Sequence, residues 1–412
     1  MSQSGFIVRR ILGCAVALAL PGATPALAAP AASTAPPLEP LPPTSIVEAI
    51  PAVPAPPPPA ASAPASPSKL LEVDVGTRLG LRIQNPNPSK AEKLNDLGMD
   101  GQVQLLLSGQ ALPHILWQAD FVGTFGTLDQ KGNYDVSGSA AVLDLIGRLE
   151  LHDAFNLWVG RMLVPADRSG LSTEWSMSPW LFPGQFFARQ PSVGALQGPR
   201  GRSDGATLWG QFGGGTFKYY AGAFNLADPT RSPLYSGRLS LSLLNPEPGY
   251  RNASTYYGSK DVLALGAGFQ YQHDGWPSTD KDPNTQLPVA WADFTELNFD
   301  LFFEKNLGAA GVVDVEGAFH KIWGSYTPES FSYFALASYL LPIEVGVGKF
   351  QLLFRLQQAH DRMTDDTDAL ADAQLGYIID GLRARVALDY QYSKVQGQTG
   401  NAILLGLQLA TK

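Results

Sequence analysis

From Leu70 onward apolar and polar side chains alternate one by one, and this period of two limits the fold more than any other feature of the chain. In the stretch LEVDVGTRLGLRI, Val73, Val75, Leu79, Leu81 and Ile83 fall on one side of an extended backbone, and Asp74, Arg78 and Arg82 fall on the other. Successive strand side chains point to opposite faces, so one face is apolar and the second is wet. The pattern returns in Ala141 to His152, where Leu143, Leu145, Leu149 and Leu151 oppose Asp144, Arg148, Glu150 and His152. It returns again in Arg383 to Ser393, where Val386, Leu388, Tyr390 and Tyr392 oppose Arg383, Arg385, Asp389, Gln391 and Ser393.

Similar runs occupy 101–112, 114–126, 155–163, 205–213, 216–225, 233–244, 261–273, 290–304, 311–323, 331–341, 346–360, 370–380 and 400–410. The total is about sixteen, and each is near the roughly nine to eleven residues, or slightly more, that a tilted strand needs to cross a bilayer. Gly, Pro, Asn and Asp punctuate them. A soluble sandwich accounts for a few such runs but rarely for so many long ones. The reading is therefore all-β: a transmembrane antiparallel β-barrel of about 16 strands. Overall hydropathy close to neutral excludes a helical membrane protein, because a barrel averages lipid-facing and lumen-facing side chains to that level. Tyr219, Tyr220, Phe224, Phe269, Tyr271, Trp291, Phe299, Phe303, Trp323, Tyr339, Tyr390 and Tyr392 lie in the runs, many near their ends, where interfacial girdles are expected. Strand propensity alone also places aromatics on a pleated surface.

The segment before the runs divides in two. Residues 1–28 read as an export signal: Arg9 and Arg10 open it, Ile11 to Leu20 is uncharged and apolar, and Ala26-Leu27-Ala28 suits a signal peptidase. Pro21 and Gly22 end the apolar run too soon for a membrane anchor. Residues 29–68 form a Pro/Ala-rich disordered linker, with 14 prolines between residues 30 and 68. In polyproline II geometry such a tract reaches about 100 Å. It serves either as a spacer or as a cell-wall contact. The barrel is expected over 69–412. Cys14, the only cysteine, falls in the leader, so the mature part has no disulfide or thiolate site. The net charge of −8 is unchanged by loss of leader and linker, and nucleic acid is not an expected partner.

NLWVGRMLVPADRSGL, from Asn156 to Leu171, resembles the strand and following loop of the phosphate-selective porin O and P family, in which a Gly-Arg pair leads into a Pro-containing segment. GRSDGATLWGQFGGGTFKYYAGAFN, residues 201–225, is similar to that family's Gly-Arg-x-x-Gly pattern, aromatic-Gly hairpin and Tyr-x-x-Gly-x-Phe-Asn. SYLLP with KFQLLFRLQQA, from Ser338 to Ala359, and the closing NAILLGLQL continue the same order. The resemblance implies an anion channel lined by Arg and Lys, set in outer-membrane lipid, with a homotrimer left open. Two features depart from it. The chain is net acidic, and it closes on Leu409-Ala410-Thr411-Lys412 rather than on an aromatic residue, although Ile403, Leu405, Leu407 and Leu409 still alternate as a final strand.

A pore selects by its width and by charge at its narrowest point. The expected constriction is the long segment Val164 to Arg200, far longer than an ordinary connection. Trp175, Trp180, Leu181, Phe182, Phe186 and Phe187 supply apolar anchors that fold it into the lumen. In and beside it, Arg161, Arg168, Arg189, Arg200 and Arg202 face only Asp167, Glu174 and Asp204, an excess of positive charge suited to an anion. The competing reading pairs these arginines with carboxylates of the wall. Arg78, Arg82, Arg148, Arg238, Arg355, Arg383 and Arg385 share the wet parity of their runs, and closure brings Arg78, Arg82, Arg383 and Arg385 side by side.

Enzymatic and metal readings find less support. His114, His152, His273, His320 and His360 are scattered singly, and none stands two residues before a serine as in outer-membrane lipases. Asp361, Asp365, Asp366, Asp368 and Asp372 lack the glycine and terminal glutamate of a calcium loop and read as a solvated external loop. The expected function is passive diffusion of small hydrophilic solutes, with a preference for anions such as phosphate and no cofactor. The alternative is a closed structural or adhesion barrel without transport.

Overall fold

The computed structural model describes residues 71–85, 96–128, 134–135, 138–173, 175–176, 178–180, 201–227, 231–285, 287–327, 329–362, 365–395 and 397–411. The expected leader and linker lie outside them. The strands in order are β1 (Glu72–Asn85), β2 (Asp96–Leu112), β3 (Ile115–Phe125), β4 (Thr127–Leu128), β5 (Tyr134–Asp135), β6 (Ser139–His152), β7 (Phe155–Leu163), β8 (Arg202–Phe212) and β9 (Phe217–Phe224). They continue as β10 (Leu234–Ser242), β11 (Val262–Pro277), β12 (Trp291–Asn306), β13 (Val312–Trp323), β14 (Glu329–Val345), β15 (Gly348–Asp361), β16 (Asp366–Asp380), β17 (Ala384–Val395) and β18 (Gln398–Ala410). β4 and β5 form a small ribbon of their own. The other 16 close into one antiparallel barrel, each strand beside its sequence neighbour.

β1 and β18 make the seam, with Gly76 opposite Ala410 and Ile83 opposite Ile403. Closure satisfies every strand edge, which an open sheet in hydrocarbon cannot do. The end where β1 begins and β18 finishes is here the terminal end; the opposite one is the distal end.

The alternation is inside out relative to a soluble protein. On β10 the outward Tyr235, Leu239 and Leu241 are exposed, while the inward Ser236, Arg238, Ser240 and Ser242 are buried. Val73, Leu79, Leu105, Phe269, Phe299, Phe354, Leu388 and Leu405 repeat this exposure around the wall. An apolar surface of that extent is stable only against lipid. Outward aromatics gather at both margins. Tyr271, Trp323 and Phe331 lie toward the distal end, and Phe212, Phe217, Phe350 and Tyr377 toward the terminal end, where Phe350 packs on Tyr377 at 5.1 Å.

Gly160 shows why a glycine precedes Arg161. Its φ of 131° lies where side-chain-bearing residues are strained, and a Cβ there would sit 2.0 Å from the Leu145 carbonyl oxygen.

Most of the described residues in the acidic stretch 361–372 belong to strands. β15 runs through Asp361, β16 begins at Asp366, and Asp368 and Asp372 are buried on the inward face, Asp372 paired with Arg355. For Asp368 and Asp372 the expectation of a solvated external loop fails because the alternation extends four residues further than the apolar run suggested, whereas Asp365 is exposed in the turn.

Candidate functional site

Two segments enter the barrel from opposite ends and meet inside it. The first follows β7 at the distal end. Its described part, Val164 to Trp180, leaves the wall at Leu163, makes a 3-10 turn at Ser169–Leu171 and descends toward the terminal end. The lumen insertion expected from Trp175 and Trp180 is thus present in the described part, and Leu181, Phe182, Phe186 and Phe187 lie outside the described residues. Asp167 anchors the turn: its carboxylate accepts from the Gly170 N–H at 2.7 Å and the Ser169 hydroxyl at 2.8 Å. Burial alone would raise the Asp167 pKa, but hydrogen bonding and charge from His320, with the Gly170 N–H, hold it below the usual carboxylate value.

The second segment, 243–261, joins β10 to β11 at the terminal end, where the neighbouring connections are tight turns. It carries buried Glu247, Tyr250, Asn252, Ser254 and Thr255 upward into the barrel. Tyr250 stacks on Trp158 at 4.5 Å and donates to the Leu163 carbonyl at 2.9 Å. Trp209 and Tyr220 complete that aromatic cluster from β8 and β9.

Where the segments meet, the Asn252 N–H donates to Leu171 O at 3.2 Å and the Ser254 N–H to Ser176 O at 3.0 Å. The Arg168 guanidinium grips Glu247 as a fork, at 2.7 and 2.6 Å, over the face of Phe302 at 4.0 Å. Both partners are buried. Burial pushes the Glu247 pKa up, the Arg168 charge and hydrogen bonds outweigh it, and the value falls to about 2.

The last described residues of the first segment lie at the seam. Trp180 lies over Gly406 and Trp175 over Gly76, where a Cβ would come within 2.3 and 2.7 Å of the rings. Only glycine leaves room for an indole flat against the wall. The Arg78 guanidinium lies 4.3 Å from the Trp180 ring and donates to Trp180 O at 2.6 Å. Arg385 donates to Ser178 O at 2.7 Å and Gln408 Oε1 at 3.1 Å. Gln374 Oε1 accepts from the Trp180 N–H at 2.7 Å.

The arginines singled out in the sequence separate into groups. Arg161 lies opposite Leu145 on one side and Asp204 on the other, on the outward face that Leu145 exposes, and forks onto Asp204 at 2.9 and 2.8 Å. Arg202 pairs with Asp144, which also accepts from Arg251 at 2.7 Å. Arg168, as described, pairs with Glu247. Away from the loop, Arg238 pairs with Asp300, Arg355 with Asp372 and Arg148 with Glu150. Arg78, Arg82 and Arg385 face inward near the seam, whereas Arg383 sits on the terminal-end turn beside Asp380, half exposed. Arg189, Arg200 and Glu174 lie outside the described residues.

Sequence reasoning missed 243–261, because its Pro, Asn and Gly read as punctuation between two runs. The available signal was length: the gap between the runs at 233–244 and 261–273 is several times that of a hairpin, and it holds Tyr250, Tyr256 and Tyr257.

No family model matches the chain, and no curated protein matches it significantly. Solved structures do resemble it. Pseudomonas putida OprB at high pH superposes with a TM-score of 0.56 at 11% identity, covering 82% of this chain and 94% of that one. An anion-selective porin from Comamonas acidovorans gives 0.52 at 11%, covering 82% and 99%. In-vitro folded OmpT, an outer membrane protein of Vibrio cholerae in a trimer form, gives 0.51 at 13%, covering 82% and 98%. The fold is that of the outer-membrane porins.

Proposed function

We propose that this chain is an outer-membrane porin for passive diffusion of small hydrophilic solutes, with a preference for anions. The observation that supports the channel reading best is the inside-out barrel whose lumen is narrowed, from within, by a segment held against the seam. The anion preference rests on Arg385 beside Trp180. Arg161, Arg168, Arg202, Arg238 and Arg355 each have a carboxylate partner, whereas the hydrogen bonds of Arg385 go to Ser178 O and Gln408 Oε1. A guanidinium bonded to neutral oxygens keeps its field for a passing anion. Phosphate is the solute class that the resemblance to the porin O and P family implies, and a homotrimer is the proposed assembly.

Inward Glu304, Asp314 and Glu316 on β12 and β13 favour a second reading, a channel that prefers cations. Reversal potential in a salt gradient across a planar bilayer separates the two. The anion reading expects a potential of anionic sign that moves toward cations in Arg385→Gln. A cationic sign in the wild type overturns it. Absence of any conductance would support the closed structural barrel. An enzymatic role is not proposed: His114 donates to Glu150 O, His152 accepts from the Ala154 N–H, and His273 pairs with Asp293.

A further inference from the structure

We propose that segment 243–261 is the second half of the pore constriction, and that the Arg168–Glu247 fork is the clasp that fixes the width of the passage by holding the two inserted segments together. The inference rests on the porin reading and names positioning residues for it.

The wall alone does not hold the first segment in mid-lumen. Between Pro165, whose carbonyl accepts from Ser236 at 2.8 Å, and Trp175, whose carbonyl accepts from Gln408 at 3.2 Å, the chain crosses from one side of the barrel to the other. Over that span the wall contributes at its near side, where the Arg168 N–H donates to Asp300 at 3.3 Å, Arg238 donates to Ala166 O at 3.4 Å and His320 of β13 stands beside Asp167, while further ties from Arg168 onward run to 243–261. They are Leu171 O from Asn252, Ser176 O from Ser254, and the Arg168 fork on Glu247 with its further donation to Ala253 O. Just beyond, Ser254 Oγ accepts from the Ser178 N–H at 2.6 Å.

The second segment is itself braced to the wall. Lys218 on β9 donates to Asn252 Oδ1 at 2.8 Å and Gly249 O at 3.2 Å, and Glu304 on β12 accepts from Thr255, Tyr256 and Gly258. It therefore acts as a bracket: fixed to β9 and β12 on its outer side, it presents its inner side to the crossing segment. Glu247 is the keystone, since Tyr256 also donates to it at 2.5 Å. Removing its charge leaves Arg168 buried with Glu316, 3.9 Å away, as its nearest carboxylate and the neutral Ala253 O as an acceptor. A buried cation stripped of its fork moves toward water, and it takes the crossing segment with it.

Glu247→Gln tests this with two readouts. In planar bilayers the variant is expected to show single-channel conductance raised by about twofold or more, with increased open-channel noise. By hydrogen exchange the Asn252 and Ser254 amides are expected to lose protection, while amides of the β1–β18 seam keep theirs. Adding Ser178→Cys with Ser254→Cys to this variant should restore wild-type conductance and quiet on oxidation and release it on reduction. A heat-modifiable, folded Glu247→Gln barrel with wild-type conductance and wild-type protection overturns the proposal. A silent wild-type channel overturns the porin reading alone, and the exchange arm then decides the clasp.

Discussion

Replacing Leu388 with Arg places a charge on the outward face of β17, and the barrel supplies the scale of the effect. Leu388 is about half exposed and stands opposite Leu375 on β16 and Leu405 on β18, both also exposed. It lies four residues from the terminal-end start of β17 at Ala384. With a rise of about 3.4 Å per residue and a tilt of about 40°, that is roughly 10 Å of height, near the middle of an apolar band about 25 Å tall. An arginine at that depth costs about 2–4 kcal/mol, falling to about 0–1 near the margin. Tyr392 is the internal control. It shares the outward parity and lies two residues from Lys394, whose ammonium already reaches Asp366 at the distal rim. Urea titration of the barrel folded into lipid vesicles, followed by tryptophan emission and heat-modifiable gel mobility, measures both variants. Leu388→Arg should lose several times the stability that Tyr392→Arg loses. Equal losses at the two depths, or none at Leu388, would refute the bilayer reading of this face.

Three further outcomes are expected. Gly406→Val should drive Trp180 off the seam, since the new Cβ would lie 2.3 Å from the indole, costing about 1–3 kcal/mol and red-shifting tryptophan emission; unchanged emission would show that Trp180 rests elsewhere. The Glu247 carboxyl is depressed from 4.5 to about 2 when folded, so its contribution of about 3 kcal/mol is complete above the unfolded value and is lost as pH falls toward the folded one. Conductance and amide exchange should accordingly be steady from neutrality to about pH 5 and rise on further acidification, and a change confined to neutral pH would assign the effect to another group. Deleting residues 31–66 should leave a heat-resistant barrel, because a proline-rich tract of that kind buries no core; failure to fold in detergent would give the segment a structural part.

Strands were legible because lipid and lumen act on alternate residues, which stamps a period of two on the sequence. Each of the runs became a barrel strand, and the order β1 to β18 with closure at the seam follows from alternation plus tight turns. Long-range pairing was not legible. Arg168 and Glu247 are 79 positions apart, and nothing local to either specifies the other. Local charge around Val164–Arg200 therefore tells only part: for Arg168 and Arg202 the positive charge counted along the chain is matched in space by Glu247 and Asp144 from distant elements. Arg161 differs again. Its parity after Gly160 places it with Leu145 and Asp204 on the outward face, and only the strand register tells that. Trp180 was read correctly as an anchor, while its seat was invisible, because a glycine such as Gly406 within a strand signals space without saying for what.

The seating of the first segment on the seam also bears on how the barrel is built and how it comes apart. Val75 and Thr411 exchange hydrogen bonds across 336 positions, so bringing the two ends together forfeits about 5 kcal/mol of chain entropy on length alone. That makes β1 against β18 the natural last step of assembly and the natural first step of failure. Yet Arg78 on one lip and Gln408 on the other both hold the same inserted segment, through Trp180 and Trp175. The segment is thus an internal rivet across the joint. Insertion into the membrane must deliver it to the interior before the joint zips, and mechanical or thermal unzipping must shear it before the lips can part.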